Sequence, residues 1–207
     1  MRGIAVVIFD CDGVLFDSRR SNIAFYNHIR ARFDLSPMNE DEEAFAHMHT
    51  ADESIRYIFQ GTGYEQEAQA YRMEMDYSPF VQDMVPEPHL REVLQTLKPR
   101  FGLGVATNRS ATISEVLRRH GLEGMFDIVV SSLDVQKPKP HPEPLLKILR
   151  FFRSTPEQAV YVGDSPVDAQ TAMAAGVLFV AYKNPELNAD YHVSSLMEIV
   201  GLLTPNP

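Results

Sequence analysis

The sequence predicts a three-layer α/β fold with a mainly parallel sheet, and two observations carry that expectation. Five short apolar runs, at residues 4–9, 101–106, 126–130, 159–162 and 177–181, each have the length of one strand. Most lack the alternation of a strand with one wet face, so they suit strands buried on both faces. Helical patterns separate the last four runs. Leu90, Val93, Leu94 and Leu97 recur at helical spacing before the second, and Ile113, Val116 and Leu117 after it. Leu145, Ile148, Leu149 and Phe152 precede the fourth, and 169–175 follows it. Strand and helix in this rhythm predict helices packed on a parallel sheet.

The interval between the first and second runs differs, because residues 18–78 contain no convincing strand. Phe25 and Ile29 mark one helical face, and Met48, Ala51, Ile55, Ile58 and Phe59 mark another. Gly61-Thr62-Gly63 breaks the chain before a third helix expected over 64–77, and Pro79 with Pro86-Glu87-Pro88 brackets the return. The pattern predicts a helical domain at 17–79, inserted into a core formed by 1–16 and 80–207. A polar tail with two prolines at 204–207 is expected to fray.

At 207 residues, one domain carrying an insertion is the natural organisation. An apolar fraction of 44% is enough for a real core. The net charge of −9 offers no basic footprint for nucleic acid, although a few local cations still suffice for a small anion. Cys11 is the only cysteine, so no intrachain disulfide is possible. The first apolar run is too short for a signal segment, and no run approaches the roughly 18 residues of a membrane span. These features point to the cytoplasm, without a membrane partner.

Four polar constellations follow the apolar runs, where open α/β sheets place their ligands. Phe9-Asp10-Cys11-Asp12-Gly13 sets two carboxylates on one side of an extended segment, with Cys11 facing the core between them. Like charges so close call for a cation, or for a proton on one of them. Thr107-Asn108-Arg109-Ser110 opens a helix and reads either as an anion site or as simple capping. In Lys137-Pro138-Lys139-Pro140-His141-Pro142, prolines stiffen a loop that reads either as holding Lys137 or Lys139 to neutralise a phosphoryl oxygen or as a rigid, wet linker. In Gly163-Asp164-Ser165-Pro166-Val167-Asp168, Asp164 suits a hard cation, while Asp168 is either its neighbour or the partner that aims a lysine.

Taken in order, these segments resemble the core motifs of the haloacid dehalogenase-like (HAD) hydrolase superfamily, in its phosphoglycolate-phosphatase-like branch. The resemblance implies a Rossmann-like sheet with a small helical cap after the first strand. It implies a magnesium-dependent phosphomonoester hydrolase acting on a small phosphorylated metabolite. Asp10 is then the nucleophile that forms an aspartyl-phosphate, and Asp12 the proton carrier. Thr107 and Asn108 bind phosphate, and Lys137, the better match to the family lysine, stabilises Asp10 and the transferring group. Mg2+ is held by Asp10, the Asp12 backbone carbonyl and Asp164, with Asp168 in support.

Asp12 separates this reading from haloalkanoate dehalogenation, whose leaving group needs no proton. The absence of lysine between Asp17 and Pro88 separates it from Schiff-base chemistry by the cap. A phosphosugar mutase of the β-phosphoglucomutase type is the nearest alternative, since only the acceptor of the phosphoryl group differs. A non-catalytic interaction protein on the same fold is the alternative of another class. Within the acidic insertion, Arg19, Arg20, Arg56, His47 and His49 are the candidates for substrate contact. The chain is expected to be a monomer or a small homo-oligomer.

Overall fold

A computed structural model of the protein describes residues 1, 3–110 and 112–204. Apart from Thr204, the expected frayed tail lies outside the described residues. The five predicted runs become strands β1 (Val6–Phe9), β4 (Gly102–Ala106), β5 (Ile128–Val130), β6 (Ala159–Gly163) and β7 (Leu178–Tyr182). Strands β2 (Phe16–Asp17), β3 (Val85–Pro86) and β8 (Tyr191–Val193) complete the set. The main sheet has the order β5-β4-β1-β6-β7-β8, and every neighbouring pair is parallel.

Successive side chains of β1 serve opposite layers, as strand geometry requires. Val7 and Phe9 pack with Leu90, Val93, Leu94 and Leu97 of α6 (Leu90–Leu97), with Ile113, Val116 and Leu117 of α7 (Thr112–Arg119), and with Leu196 and Ile199 of α10 (Leu196–Leu203). Val6 and Ile8 pack with Leu145, Ile148 and Leu149 of α8 (Glu143–Phe152) and with Ala172 and Ala175 of α9 (Pro166–Ala175). The helical spacing of the leucines therefore reports the face each helix turns to the sheet. Truncating a fully buried one, such as Leu94→Ala, costs about 2–5 kcal/mol.

The insertion holds α1 (Arg19–Ala31), α2 (Glu40–Met48), α3 (Ala51–Ile58) and α4 (Glu65–Glu74), followed by the short α5 (Ser78–Val81). Phe25, Ile29, Ile55, Ile58 and Phe59 share an apolar cluster of their own. The expected continuous face from Met48 to Phe59 is corrected. His49 is extended, and Thr50 starts a new helix by a capping box with Glu53. Asn39 and Glu42 cap α2 in the same way, and that helix was not anticipated.

Two short crossings join insertion and sheet. Phe16 and Asp17 pair antiparallel with Pro86 and Val85. The Glu87 N–H donates to the Leu15 carbonyl at 3.0 Å. The buried Glu87 carboxylate accepts from Tyr182 Oη and Lys183 Nζ, each at 2.6 Å, so the return crossing is fastened to the end of β7.

Strand β8 was not anticipated either. It lies at the sheet edge with Tyr191 and His192 exposed, so it carries no apolar run. Among the described residues, no helix is long and apolar enough to cross a membrane.

Candidate active site

Register brings the strand exits together. Phe9 lies level with Val105 on one side and Val162 on the other. Asp10, Thr107 and Asp164 therefore emerge along one edge, with the Asp10 N–H bonded to the Val162 carbonyl at 2.9 Å. Gly13 has φ +82°, and a Cβ there would stand 2.1 Å from Asp164 Oδ2. Only glycine lets the first loop turn this closely over the second carboxylate.

Lys139 is the buried lysine of the proline loop, 2% exposed. Its Nζ lies 2.8 Å from Asp10 Oδ1 and 2.6 Å from Asp168 Oδ1, and donates to Tyr161 Oη at 3.0 Å. Asp168 is fully buried and also meets the Tyr161 hydroxyl at 2.6 Å, while its Oδ2 accepts from Ser165 Oγ at 2.6 Å. Burial disfavours the Asp168 charge, yet Lys139, Ser165 and Tyr161 together hold its carboxyl below the usual range. Asp168 thus stands where it can aim the lysine, the second of its two expected roles, and it also belongs to the carboxylate cluster that the first would require.

One oxygen each from Asp10, Asp164 and Asp168 lies within 4.8 Å of the others. Burial raises the Asp10 pKa most; Lys139 opposes this, while Asp168 and Asp12 add to it. Asp164 is likewise pushed up, first by burial and then by Asp168 and Asp10. A single ammonium faces three carboxylates here, and the donors are all hard oxygens. That chemistry fits a divalent cation such as magnesium.

Asp12 lives differently. Arg109 grips it with a two-pronged fork, Nη2 to Oδ1 at 2.5 Å and Nε to Oδ2 at 3.1 Å. Burial alone would raise this carboxyl, but the guanidinium outweighs it and brings the pKa down to about 2. The remaining Arg109 donors reach Asn22 Oδ1 at 3.1 Å, Tyr77 Oη at 2.8 Å and Thr112 Oγ1 at 3.3 Å. Asn22 Nδ2 in turn donates to His47 Nδ1 at 3.3 Å. Burial lowers the His47 pKa, against the pull of nearby Asp12. Cys11, between the two aspartates, is buried among core residues as anticipated.

The assignment to Lys137 is corrected. Its side chain is exposed, and its backbone N–H donates to Glu143 Oε2 at 3.0 Å, so the segment lies against the start of α8 and away from Asp10. Asn108 is also corrected as a phosphate ligand through its side chain. Its Oδ1 accepts from the Lys139 N–H, and its Nδ2 donates to the carbonyls of Lys139 and Met48, all at 3.1 Å. Asn108 thereby fixes the lysine loop. Thr107 is buried at the cleft, and its Oγ1 accepts from the Arg109 N–H at 3.0 Å, which leaves the hydroxyl proton to donate.

A cleft of about 400 Å³ separates the insertion from the sheet edge, and both His47 and His49 line it. His49 stacks on Phe45 and bonds its carbonyl at 2.9 Å. Arg19, Arg20 and Arg56 do not line the cleft. Arg19 and Arg56 are 61% and 65% exposed and pair with Glu43 and Glu65. The arginines at the cleft are Arg72 and Arg109. Arg109 had a readable signal in its place beside Thr107-Asn108, and Lys139 in its place between two prolines. Tyr161, inside an apolar strand, had none.

Buried carboxylates and a lysine at the carboxyl edge of a parallel sheet, roofed by helices, define an α/β enzyme of hydrolytic type. The chain belongs to the haloacid dehalogenase-like hydrolase family, whose model matches residues 7–182, and it is a phosphatase-type hydrolase. A solved HAD-superfamily hydrolase, subfamily IA, variant 1, from Geobacter sulfurreducens is 43% identical. It covers 96% of this chain and 99% of its own, with a TM-score of 0.85. Pyrophosphatase PpaX of Bacillus pumilus is 29% identical over 177 residues, covering 84% of this chain and 80% of that protein. The phosphoglycolate phosphatase of Salmonella typhi is 40% identical over 91 residues, which is 43% of this chain and 36% of that enzyme.

Proposed function

We propose that the protein is a magnesium-dependent phosphomonoester hydrolase for a small phosphorylated metabolite, with Asp10 as covalent nucleophile. Residues 17–79 would form the cap, over a catalytic core of 1–16 and 80–207. The observation that carries the reading is the setting of Asp10, whose Oδ1 is buried 2.8 Å from the Lys139 ammonium and which has a carboxylate oxygen within 4.8 Å of oxygens of Asp164 and Asp168.

In this reading a carboxylate oxygen of Asp10 bonds to phosphorus as the ester P–O bond breaks. The departing oxygen takes the electron pair and receives a proton from Asp12. Water then attacks the aspartyl-phosphate while Asp12 takes back a proton. Inorganic phosphate leaves, and Asp10 is restored. Arg109 keeps Asp12 charged in the free site, the form the second step needs. A phosphoryl anion arriving beside it raises its pKa again and favours the form the first step needs.

Lys139 and the Thr107 hydroxyl hold phosphoryl oxygens. Asp10, the Asp12 carbonyl and Asp164 would hold Mg2+, with Asp168 in support. Bound there, the ion supplies charge neutralisation that lets a carboxylate approach an anion. His47, His49 and Arg72 are the cap side chains placed to meet the rest of the substrate.

Phosphate release from a panel of phosphorylated acids, sugars and nucleotides, with pyrophosphate and phosphoglycolate included because of the relatives' activities, tests the reading. Wild type with Mg2+ is expected to turn over at least one member. Activity that survives chelation, or that Asp10→Asn leaves undiminished, would sink it.

A further inference from the structure

We infer that Arg109 is a positioning residue that makes the orientation of Asp12 depend on the seating of the helical insertion. The inference rests on the hydrolase reading above and extends it to how the two parts of the molecule communicate.

The guanidinium has five N–H donors, and the structure gives each an acceptor. Two go to the Asp12 carboxylate, one to Thr112 at the start of α7, and two to the insertion. The last two acceptors are Asn22 on α1, in the outgoing arm, and Tyr77, in the returning arm. Among the described residues, Arg109 alone bonds Asp12 and both arms at once.

A fork of this kind fixes both rotation and tilt of a carboxylate, which a single hydrogen bond does not. The guanidinium is only 4% exposed, so neither water nor a second rotamer readily takes over an acceptor. Asn22 and Tyr77 therefore complete the cage that holds the fork. When the insertion swings away to admit substrate, two of the five acceptors leave with it, and Arg109 is free to turn Asp12 out of line. Asn22 also carries the tie to His47 at 3.3 Å, so the contact reaches the face of α2 over the cleft.

The other link between motif and insertion, Asn108 to the Met48 carbonyl, serves Lys139. Nucleophile and proton carrier thus have separate ties to the roof.

A leaving-group comparison tests this. The rate constant kcat/KM covers steps through departure of the leaving group. A p-nitrophenolate departs without a proton, whereas an alkoxide requires one from Asp12. Wild type and variants are compared on p-nitrophenyl phosphate and on the best alkyl phosphate of the panel. Arg109→Gln is expected to lower kcat/KM about 100-fold on the alkyl ester and no more than about fivefold on the aryl ester. Arg109→Lys should recover part of the difference.

Asn22→Ala and Tyr77→Phe, the latter keeping the ring that packs on Phe25 and Phe80, should each show the same selective loss, about 5- to 20-fold. Equal losses on both esters for Arg109→Gln and Arg109→Lys would reduce Arg109 to a structural role. An unchanged alkyl-to-aryl ratio in both Asn22→Ala and Tyr77→Phe would remove the tie to the insertion. Either result overturns the inference while the hydrolase reading stands. A wild type inert on both esters overturns the two together.

Discussion

Asp10 and Asp12 follow the same strand with Cys11 between them, yet one is held by groups of the sheet domain and the other by an arginine tied to the insertion. Asp10 faces Lys139, Asp164 and Asp168, all carried by loops and helix starts of the sheet domain. Asp12 faces Arg109, which leans on Asn22 and Tyr77 of the insertion. Burial raises the first carboxyl, and a forked guanidinium depresses the second. Similar chain positions thus acquire opposite proton affinities in the metal-free site, and the nucleophilic role proposed for Asp10 requires a bound cation to bring its carboxyl back down. The Asp10 group is built from the sheet domain with one tie to the roof through Asn108 and Met48, whereas the fork on Asp12 has two of its five donors bonded to the insertion.

The sharpest way to break this contrast is to remove each carboxylate's function in turn. Asp10→Asn should lower kcat by about 10⁴-fold or more in a magnesium-supplemented phosphate-release assay. An Asp12→Asn variant that still releases a p-nitrophenolate burst, but turns over slowly, would sharpen it. Next in size is Lys139→Met, which strands Asp10 and Asp168 without a counter-charge. It should cost about 3–5 kcal/mol in urea unfolding and abolish turnover.

The pH dependence of the metal-free protein should then show opposite slopes. The folded pKa of Asp12 lies below its unfolded value, so its contribution of about 2 kcal/mol is present above pH 4 and fades as pH falls toward 2. The folded pKa of Asp10 lies above its unfolded value. Its stabilising protonated form is therefore lost as pH rises from the ordinary carboxylate range through the raised value. Thermal melts should show wild type losing its advantage over Asp12→Asn in acid, while Asp10→Asn gains on wild type toward neutral pH. Parallel slopes would contradict the assigned environments. The smallest effect belongs to Lys137→Ala, expected to stay within about 0.5 kcal/mol of wild type and to retain activity.

Much of the core was legible because its signals are local. A strand buried on both faces must be apolar throughout, and a helix on a sheet must repeat its leucines, so 159–162 and Leu90-Val93-Leu94-Leu97 announce themselves. The acids at strand exits could be read as one site because a parallel sheet delivers those ends to one edge. Local spacing does not reveal which side chain of a loop turns inward. Lys137 and Lys139 differ by one proline, and the choice was made by Asn108, which clasps the Lys139 backbone from another strand exit. Arg19, Arg20 and Arg56 were plausible by charge alone, but acidic neighbours on the insertion's surface occupy Arg19 and Arg56, and Arg20 is exposed. The break at His49-Thr50 had a readable cue in the Thr50–Glu53 spacing, which the apolar stripe on either side masked.

The position of β1 carries a consequence for how the chain is made. Val6 pairs with Gly102 and Ala159, so the strand leading to Asp10 is synthesised before either partner and pairs late. Contacts of such long sequence separation are entropically slow to close. Meanwhile the insertion, with an apolar cluster of its own, is fully synthesised before either partner strand exists. The nascent chain thus completes the residues of its roof before those of its floor. During that interval an exposed hydrophobic strand must be shielded from its neighbours on the polysome.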